Sequence, residues 1–185
     1  MPILHAIVLG VVQGLSEFLP ISSSGHLLAV PWLFDWDDFG GDASLEKTFD
    51  VALHIGTLAA LLVYFRNDIW TLVRDGVTKP RSREGRFAWM LAASAIPAAI
   101  TGAVLNDWID EHLGQIPLIA TMLIVFGLVL LWADRAGGQR PIEQVRLRDV
   151  VLMGVGQAVA LQPGVSRSGV TMTAGRFAGL SPDAA

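Results

Sequence analysis

The chain has no cysteine, one tyrosine and few charges, and each shortage narrows what it can be. Without cysteine there is no disulfide framework, no thiolate metal site and no cysteine nucleophile. Charged residues fill 16% of the 185 positions, against roughly 25% in a typical soluble domain. A basic excess is missing too. Thirteen basic and 17 acidic side chains leave a net charge of −4, so no nucleic-acid partner is expected. Met1 to Gly14 has no basic start and is not followed by a small-residue cleavage site, so no cleavable signal peptide is expected. The lone tyrosine and the six tryptophans decide nothing by themselves.

What is present is apolar: 52% of residues, with a mean hydropathy of +0.52. Residues 87–106 carry no charge over 20 positions, 112–133 hold only His112 as a titratable group, and 51–65 form a shorter uncharged run. About 20 apolar residues match the hydrocarbon thickness of a bilayer. Three fully buried soluble helices would need amphipathic partners that the rest of the chain does not supply. The reading is an all-α, polytopic membrane protein, one membrane domain over 1–185, with three transmembrane helices within 48–133. Residues 66–86 hold six basic against three acidic side chains, and 134–149 hold four against three. Loops rich in Lys and Arg stay in the cytoplasm. The stretch 35–47, with five acidic residues and only Lys47 basic, and 107–111, whose charges are all acidic, belong outside. The runs then alternate: 48–65 inward, 87–106 outward, 117–133 inward. Pro97 is tolerable in such a helix and Pro117 suits a first turn.

The start and end of the chain repeat each other at a constant offset of 144. Gly10, Val11, Gln13, Ser22, Ser24 and Gly25 match Gly154, Val155, Gln157, Ser166, Ser168 and Gly169, with Ile21 facing Val165. Three spanning runs lie between the copies, an odd number, so the second copy enters the membrane inverted. Functional sites of inverted-topology repeats usually lie between the halves, near the midplane. Each copy is broken, at 19–26 and at 162–169, into pieces of 10–14 residues, a length that suits re-entrant segments. Two helix–loop–helix hairpins, 1–34 and 150–180, are expected to meet at their Ser/Gly tips, where irregular backbone lines a wet cavity. The alternative is that Pro20 and Pro163 only kink full-length helices. The second copy ends soon after its hairpin, so the repeat is expected to continue for roughly a hundred residues and further helices beyond this chain.

Glu17, Asp50, Arg167 and Arg176 are the charges that fall inside apolar segments. Charge at bilayer depth is costly, which makes each a functional candidate. Asp50 and Arg176 lie near interfaces and can snorkel. Gln13 and Glu17, four apart, share a helix face and offer oxygens to Mg²⁺ or Ca²⁺. A purely structural Glu17–Arg167 ion pair is the plainer alternative. The tip Gly164-Val165-Ser166-Arg167-Ser168-Gly169 with Thr171 offers a guanidinium fork, three hydroxyls and free N–H groups at a helix start, a set suited to phosphate. His26 is the group in the first tip that exchanges protons near neutral pH. His54 reads as a hydrogen-bonded structural residue.

The stretches Gln13 to His26 and Pro163 to Thr171, with Lys47 to Asp50 and Gly56-Thr57 between them, resemble the signature motifs of the undecaprenyl-pyrophosphate phosphatase family, also called the bacitracin-resistance family. The resemblance covers essentially the whole chain. It implies an enzyme that removes the terminal phosphate of a polyprenyl diphosphate, recycling the lipid carrier for peptidoglycan and other cell-wall polymers. It implies Mg²⁺ or Ca²⁺ and an inner-membrane site open to the extracytoplasmic side. Glu17 carries over as a catalytic or metal-linked carboxylate, and His26 and Ser23 as catalytic-centre residues. Arg167 carries over as a catalytic clamp, with Ser22, Ser24, Ser166, Ser168, Gly169 and Thr171 around the pyrophosphate. Gln13 stands where many members have a second Glu. The nucleophile stays open between His26, a serine and a metal-bound water, and homo-oligomerisation stays open too. Two other functions compete. A transporter or flippase would bind the same headgroup without chemistry. An acid-phosphatase-like membrane enzyme would need an upstream Lys…Arg-Pro and a downstream His-x-x-x-Asp, neither of which is here.

Overall fold

A computed structural model describes residues 1–185 except for the side chain of Asp110, so that part of the acidic stretch 107–111 lies outside the described residues. Among the described residues eight α-helices follow one another: α1 (Ile3–Phe18), α2 (Ser23–Leu33), α3 (Ala43–Tyr64), α4 (Arg66–Thr78), α5 (Arg83–Leu113), α6 (Ile116–Ala136), α7 (Leu147–Val159) and α8 (Arg167–Phe177). A short 3₁₀ turn covers Ile142–Gln144. Ala43–Tyr64, Arg83–Ile109 and Ile116–Ala136 are long and apolar enough to cross a membrane. The protein is an all-α, multi-pass membrane protein.

The spanning helices start earlier than the apolar runs, because polar caps set their ends. Asp42 Oδ1 accepts from the N–H groups of Ser44 and Leu45 at 2.9 and 3.2 Å, which starts α3 five residues before Thr48. Ser82 accepts from Gly85 N at 3.0 Å and starts α5 at Arg83. Capping oxygens satisfy donors that have no partner inside the helix. Pro117 sits in the first turn of α6. The basic stretch 66–86 contains a helix that its charge pattern conceals: α4 packs along α5, and Trp89 Nε1 donates to Gly76 O at 3.0 Å between them.

At both ends of the chain two short helices fold back as hairpins, α1–α2 and α7–α8. Pro20 and Pro163 lie in the turns between helices, so the backbone reverses there instead of kinking. Helix α8 packs on α6 and α7, and α7 on α5. Ser168 Oγ reaches the Leu19 carbonyl at 3.2 Å, which brings the two tips into contact. A Cβ on Gly169 would stand 3.3 Å from the Pro20 carbonyl, so glycine permits this approach. Gly164 has φ +89° with the Ile119 backbone beside it, and both facts favour glycine.

Most large apolar side chains of α1, α5 and α6 face outward; Ile7, Leu15, Ile100, Ile124 and Leu128 are all exposed. A surface of this kind is expected where lipid is the solvent. Trp32, Trp36 and Trp108 fall in or beside the acidic connections, and Trp89 and Trp132 near the ends of α5 and α6 beside the basic ones. Tryptophan near the ends of spanning helices is favoured at a membrane–water interface.

Arg176 does not snorkel. It is 5% exposed and its guanidinium donates to the carbonyls of Gly138, Leu180 and Asp134, with Nε 3.3 Å from Asp134 Oδ1. Burial among carbonyl acceptors makes it a staple between α8 and the end of α6. Beside it, Arg140 pairs with fully buried Asp149 at 2.7 Å and donates to Ala178 O at 2.8 Å. At the opposite end His5 stacks on Trp36 at 3.7 Å, and its Nδ1 lies 2.9 Å from each carboxylate oxygen of Asp38.

Candidate active site

A cavity of about 520 Å³ opens where the two hairpin tips meet, with α3 alongside. From the first tip it is lined by Glu17, Ser22, Ser23 and Ser24, and from the second by Ser166, Arg167, Ser168 and Thr171. Gly169 lies behind the wall, where its N–H donates to Ser166 Oγ at 3.1 Å. Gln13 and His26 are not lining residues.

Sequence dictates the same local geometry twice. Ser22 caps α2 by accepting from Gly25 N at 3.4 Å, as Ser166 caps α8 by accepting from Gly169 N. Ser22 Oγ lies 3.3 Å from Ser24 Oγ, and Ser166 Oγ lies 3.1 Å from Ser168 Oγ. Each Ser-x-Ser-Gly thus forms a capped helix start, with amides and hydroxyls turned to one place. The copies differ in backbone strain. Ser22 has φ 66°, a conformation uncommon outside glycine and often found at functional sites, whereas Ser166 has φ −71°.

Reactive groups lie beside the caps. Ser23 Oγ donates to Glu17 Oε2 at 2.6 Å, the geometry of a hydroxyl beside its base. Gln13 is fully buried behind that carboxylate and donates Nε2 to the same oxygen at 3.1 Å. Gln13 Oε1 is buried without a partner. The Arg167 guanidinium has no hydrogen bond or ion pair among the described residues, so the structural Glu17–Arg167 pair is not formed. A guanidinium without a partner among the described residues, on the wall of the same cavity as a hydroxyl–carboxylate pair, is a ready site for an anion.

Two histidines exchange places relative to the sequence reading. His26 turns Nδ1 to its own helix, donating to Ser22 O at 2.8 Å. His54 lines the cavity: Nδ1 donates to Asp50 O at 2.7 Å, and Nε2 faces Glu17 Oε2 at 3.6 Å. Its position 31 residues after Ser23 leaves no local signal; only the packing of α3 on α1 brings it in.

No three His, Asp or Glu side chains among the described residues gather as a metal cage. The donors that exist are the Glu17 carboxylate and the orphaned Gln13 oxygen. That set fits Mg²⁺, which is commonly held by one or two carboxylates and completed by substrate phosphates and water.

A cavity walled by serine hydroxyls, a carboxylate and a guanidinium between two helical hairpins defines the class, an all-α multi-pass membrane protein with a polar site suited to an anion. Residues 6–185 match the family model of the bacitracin resistance protein BacA, and the chain belongs to that family. It is 48% identical over 186 residues to an undecaprenyl-diphosphatase of Moorella thermoacetica, covering 100% of this chain and 69% of the relative. It is 49% identical over 191 residues to one of Geobacter sulfurreducens, at 100% and 69% coverage. An undecaprenyl-diphosphatase of Elusimicrobium minutum is 45% identical over 177 residues, at 96% and 66%. The chain spans about two thirds of the length of these relatives.

Proposed function

We propose that the chain is an undecaprenyl-diphosphatase: a membrane hydrolase that converts a polyprenyl diphosphate into the monophosphate and inorganic phosphate, and so recycles the lipid carrier for cell-wall synthesis. Family membership and the names of the relatives support this reading. The observation that supports it on these residues is one cavity lined by Glu17, Ser23 and Arg167, in which Ser23 Oγ donates to Glu17 Oε2.

The chemistry follows from those positions. Arg167 and the N-terminal amides of α8 hold the diphosphate, helped by Ser166, Ser168 and Thr171. The Ser23 oxygen attacks the terminal phosphorus as Glu17 takes its proton. The bond from that phosphorus to the bridging oxygen breaks, and the lipid monophosphate leaves with the bonding electrons. Glu17 passes its proton to the departing lipid phosphate and, ionised again, takes one from a water. That water attacks the phosphorus, the bond to Ser23 Oγ breaks, Glu17 returns a proton to the serine oxygen, and inorganic phosphate leaves. A general base positioned in this way contributes ~10²–10⁴-fold. Mg²⁺ bound at Glu17 and Gln13 would neutralise phosphate charge. Ser22 and Ser24 shape the first tip, and His26 holds its backbone.

The orientation is part of the proposal. With the basic stretches 66–86 and 134–149 in the cytoplasm, the hairpins enter from opposite faces as an inverted repeat. The first enters from the side of the acidic loop, and the cavity opens to the extracytoplasmic side of the inner membrane. Phosphate release from undecaprenyl diphosphate by the purified chain tests the activity. Transfer of the lipid between leaflets without phosphate release would favour a flippase and overturn the reading.

A further inference from the structure

The hairpins are built alike and diverge where they touch the cavity. At the offset of 144, Glu17 corresponds to Leu161 and Ser23 to Arg167. The first hairpin therefore supplies carboxylate and hydroxyl, and the second supplies the cation. Both keep the glutamine, as Gln13 and Gln157, but put it to different use. Gln13 is buried, off the cavity wall, and committed to Glu17. Gln157 has a leucine four residues on, so it has no carboxylate to bind, and it lines the cavity.

The Gln157 amide is weakly held. Its Nε2 meets the carbonyl and the hydroxyl of Ser94 on α5, each at 3.4 Å, well beyond the usual ~2.9–3.0 Å. Gln162, also on the wall, is tied more closely, with Nε2 3.2 Å from Leu113 O and 3.1 Å from Pro163 O. A diphosphate presents more acceptor oxygens than one guanidinium fork meets. A neutral amide donor on the wall shared with Arg167 can exchange a long contact for a charge-assisted one.

We propose that Gln157 is a further substrate-binding residue, its amide N–H donating to a phosphoryl oxygen of the diphosphate held by Arg167. The inference rests on the diphosphatase reading, and pyrophosphate binding separates the two. The probe is inorganic pyrophosphate, titrated into the purified chain in detergent with EDTA present, beside steady-state hydrolysis of undecaprenyl diphosphate with Mg²⁺. Gln157→Leu is expected to weaken pyrophosphate binding about tenfold and to raise KM more than it lowers kcat, as for a lost hydrogen bond to a charged group. Gln157→Glu keeps the shape and reverses the electrostatics, so it is expected to lose more than Gln157→Leu. It also stands in if the leucine variant does not fold. Ser94→Ala is expected to stay within twofold of the parent. The proposal is overturned if pyrophosphate binds the folded Gln157 variants within twofold of the parent. It is equally overturned if Ser94→Ala reproduces their loss, because the effect would then be packing of α7 on α5. Tight pyrophosphate binding by a parent that releases no phosphate would reject the diphosphatase reading and leave this one standing.

Discussion

Ser23 and Glu17, six residues apart and on different helices, share a 2.6 Å hydrogen bond across the break between α1 and α2. The proposed proton transfer runs through that contact, and Ser22 beside it has φ 66°. Glu17→Gln cannot accept the proton and is expected to lower kcat ~10²–10⁴-fold, with the far-ultraviolet circular dichroism unchanged. Ser23→Ala should lose at least as much. Phosphate release within tenfold of the parent by Ser23→Ala would show that water attacks directly and that Ser23 only orients Glu17.

Arg167 offers a planar fork with no competing partner among the described residues, and a lysine at the same place offers one point charge. Arg167→Lys is therefore expected to lose ~10²-fold or more in kcat/KM, in line with removal of a positioned charge-stabilising donor. It should keep its thermal midpoint in detergent, because no structural contact is lost. Near-parent turnover would remove Arg167 from the mechanism.

Gln13 spends its amide on Glu17 and leaves its oxygen buried and unpaired. Replacing it by Glu sets two carboxylates one turn apart, an arrangement that binds a hard cation more tightly. Gln13→Glu should lower the Mg²⁺ concentration for half-maximal hydrolysis, and EDTA should stop both proteins. A Mg²⁺ requirement unchanged by Gln13→Glu would confine Gln13 to holding the carboxylate.

Much of this was legible in the chain. The apolar runs marked the three spanning helices, and the Ser-x-Ser-Gly repeat marked both tips, because capping is local chemistry that four residues can encode. His54 was not legible, since its role depends on α3 packing beside α1. Helix α4 was hidden in a stretch whose charge marks a side of the membrane and says little about backbone shape. Arg176 was misread for a related reason: an arginine near a helix end looks the same whether it reaches for water or for buried carbonyls.

The Arg140–Asp149 pair, also unseen in the sequence, gives a prediction about pH. Burial pushes the Asp149 carboxyl up, but the Arg140 guanidinium and the Arg146 N–H outweigh it and hold the group below the usual carboxylate range. A depressed folded-state value means that the stabilisation is complete above the ordinary carboxylate pKa of ~3.9 and is lost as pH falls through the folded value. Asp149→Asn is expected to lower the thermal midpoint in detergent at pH 7, with the gap to the parent closing as the pH is taken below ~4. A gap that stays constant through that acid range would mean that Asp149 acts by packing alone.

The orientation can be tested in cells, and the chain has no cysteine to remove first. Asp38 is a poor reporter, because it is bound to His5. Asp37 and Glu111 are exposed neighbours on the acidic side, and Arg81 and Gln139 are exposed on the basic side. Cysteines at Asp37 and Glu111 should react with an impermeant thiol reagent in intact cells. Those at Arg81 and Gln139 should react only after permeabilisation, if the basic segments are cytoplasmic. A cysteine at Ser24 or Ser168 should react partially, and bound pyrophosphate should protect it, because both positions line the cavity. Labelling of Arg81 from outside would turn the cavity mouth towards the cytoplasm and place hydrolysis there. Labelling of Asp37 and Arg81 from the same side would mean that α3 does not span. The two hairpins would then enter from one face, and the inverted repeat would be wrong even with the site intact.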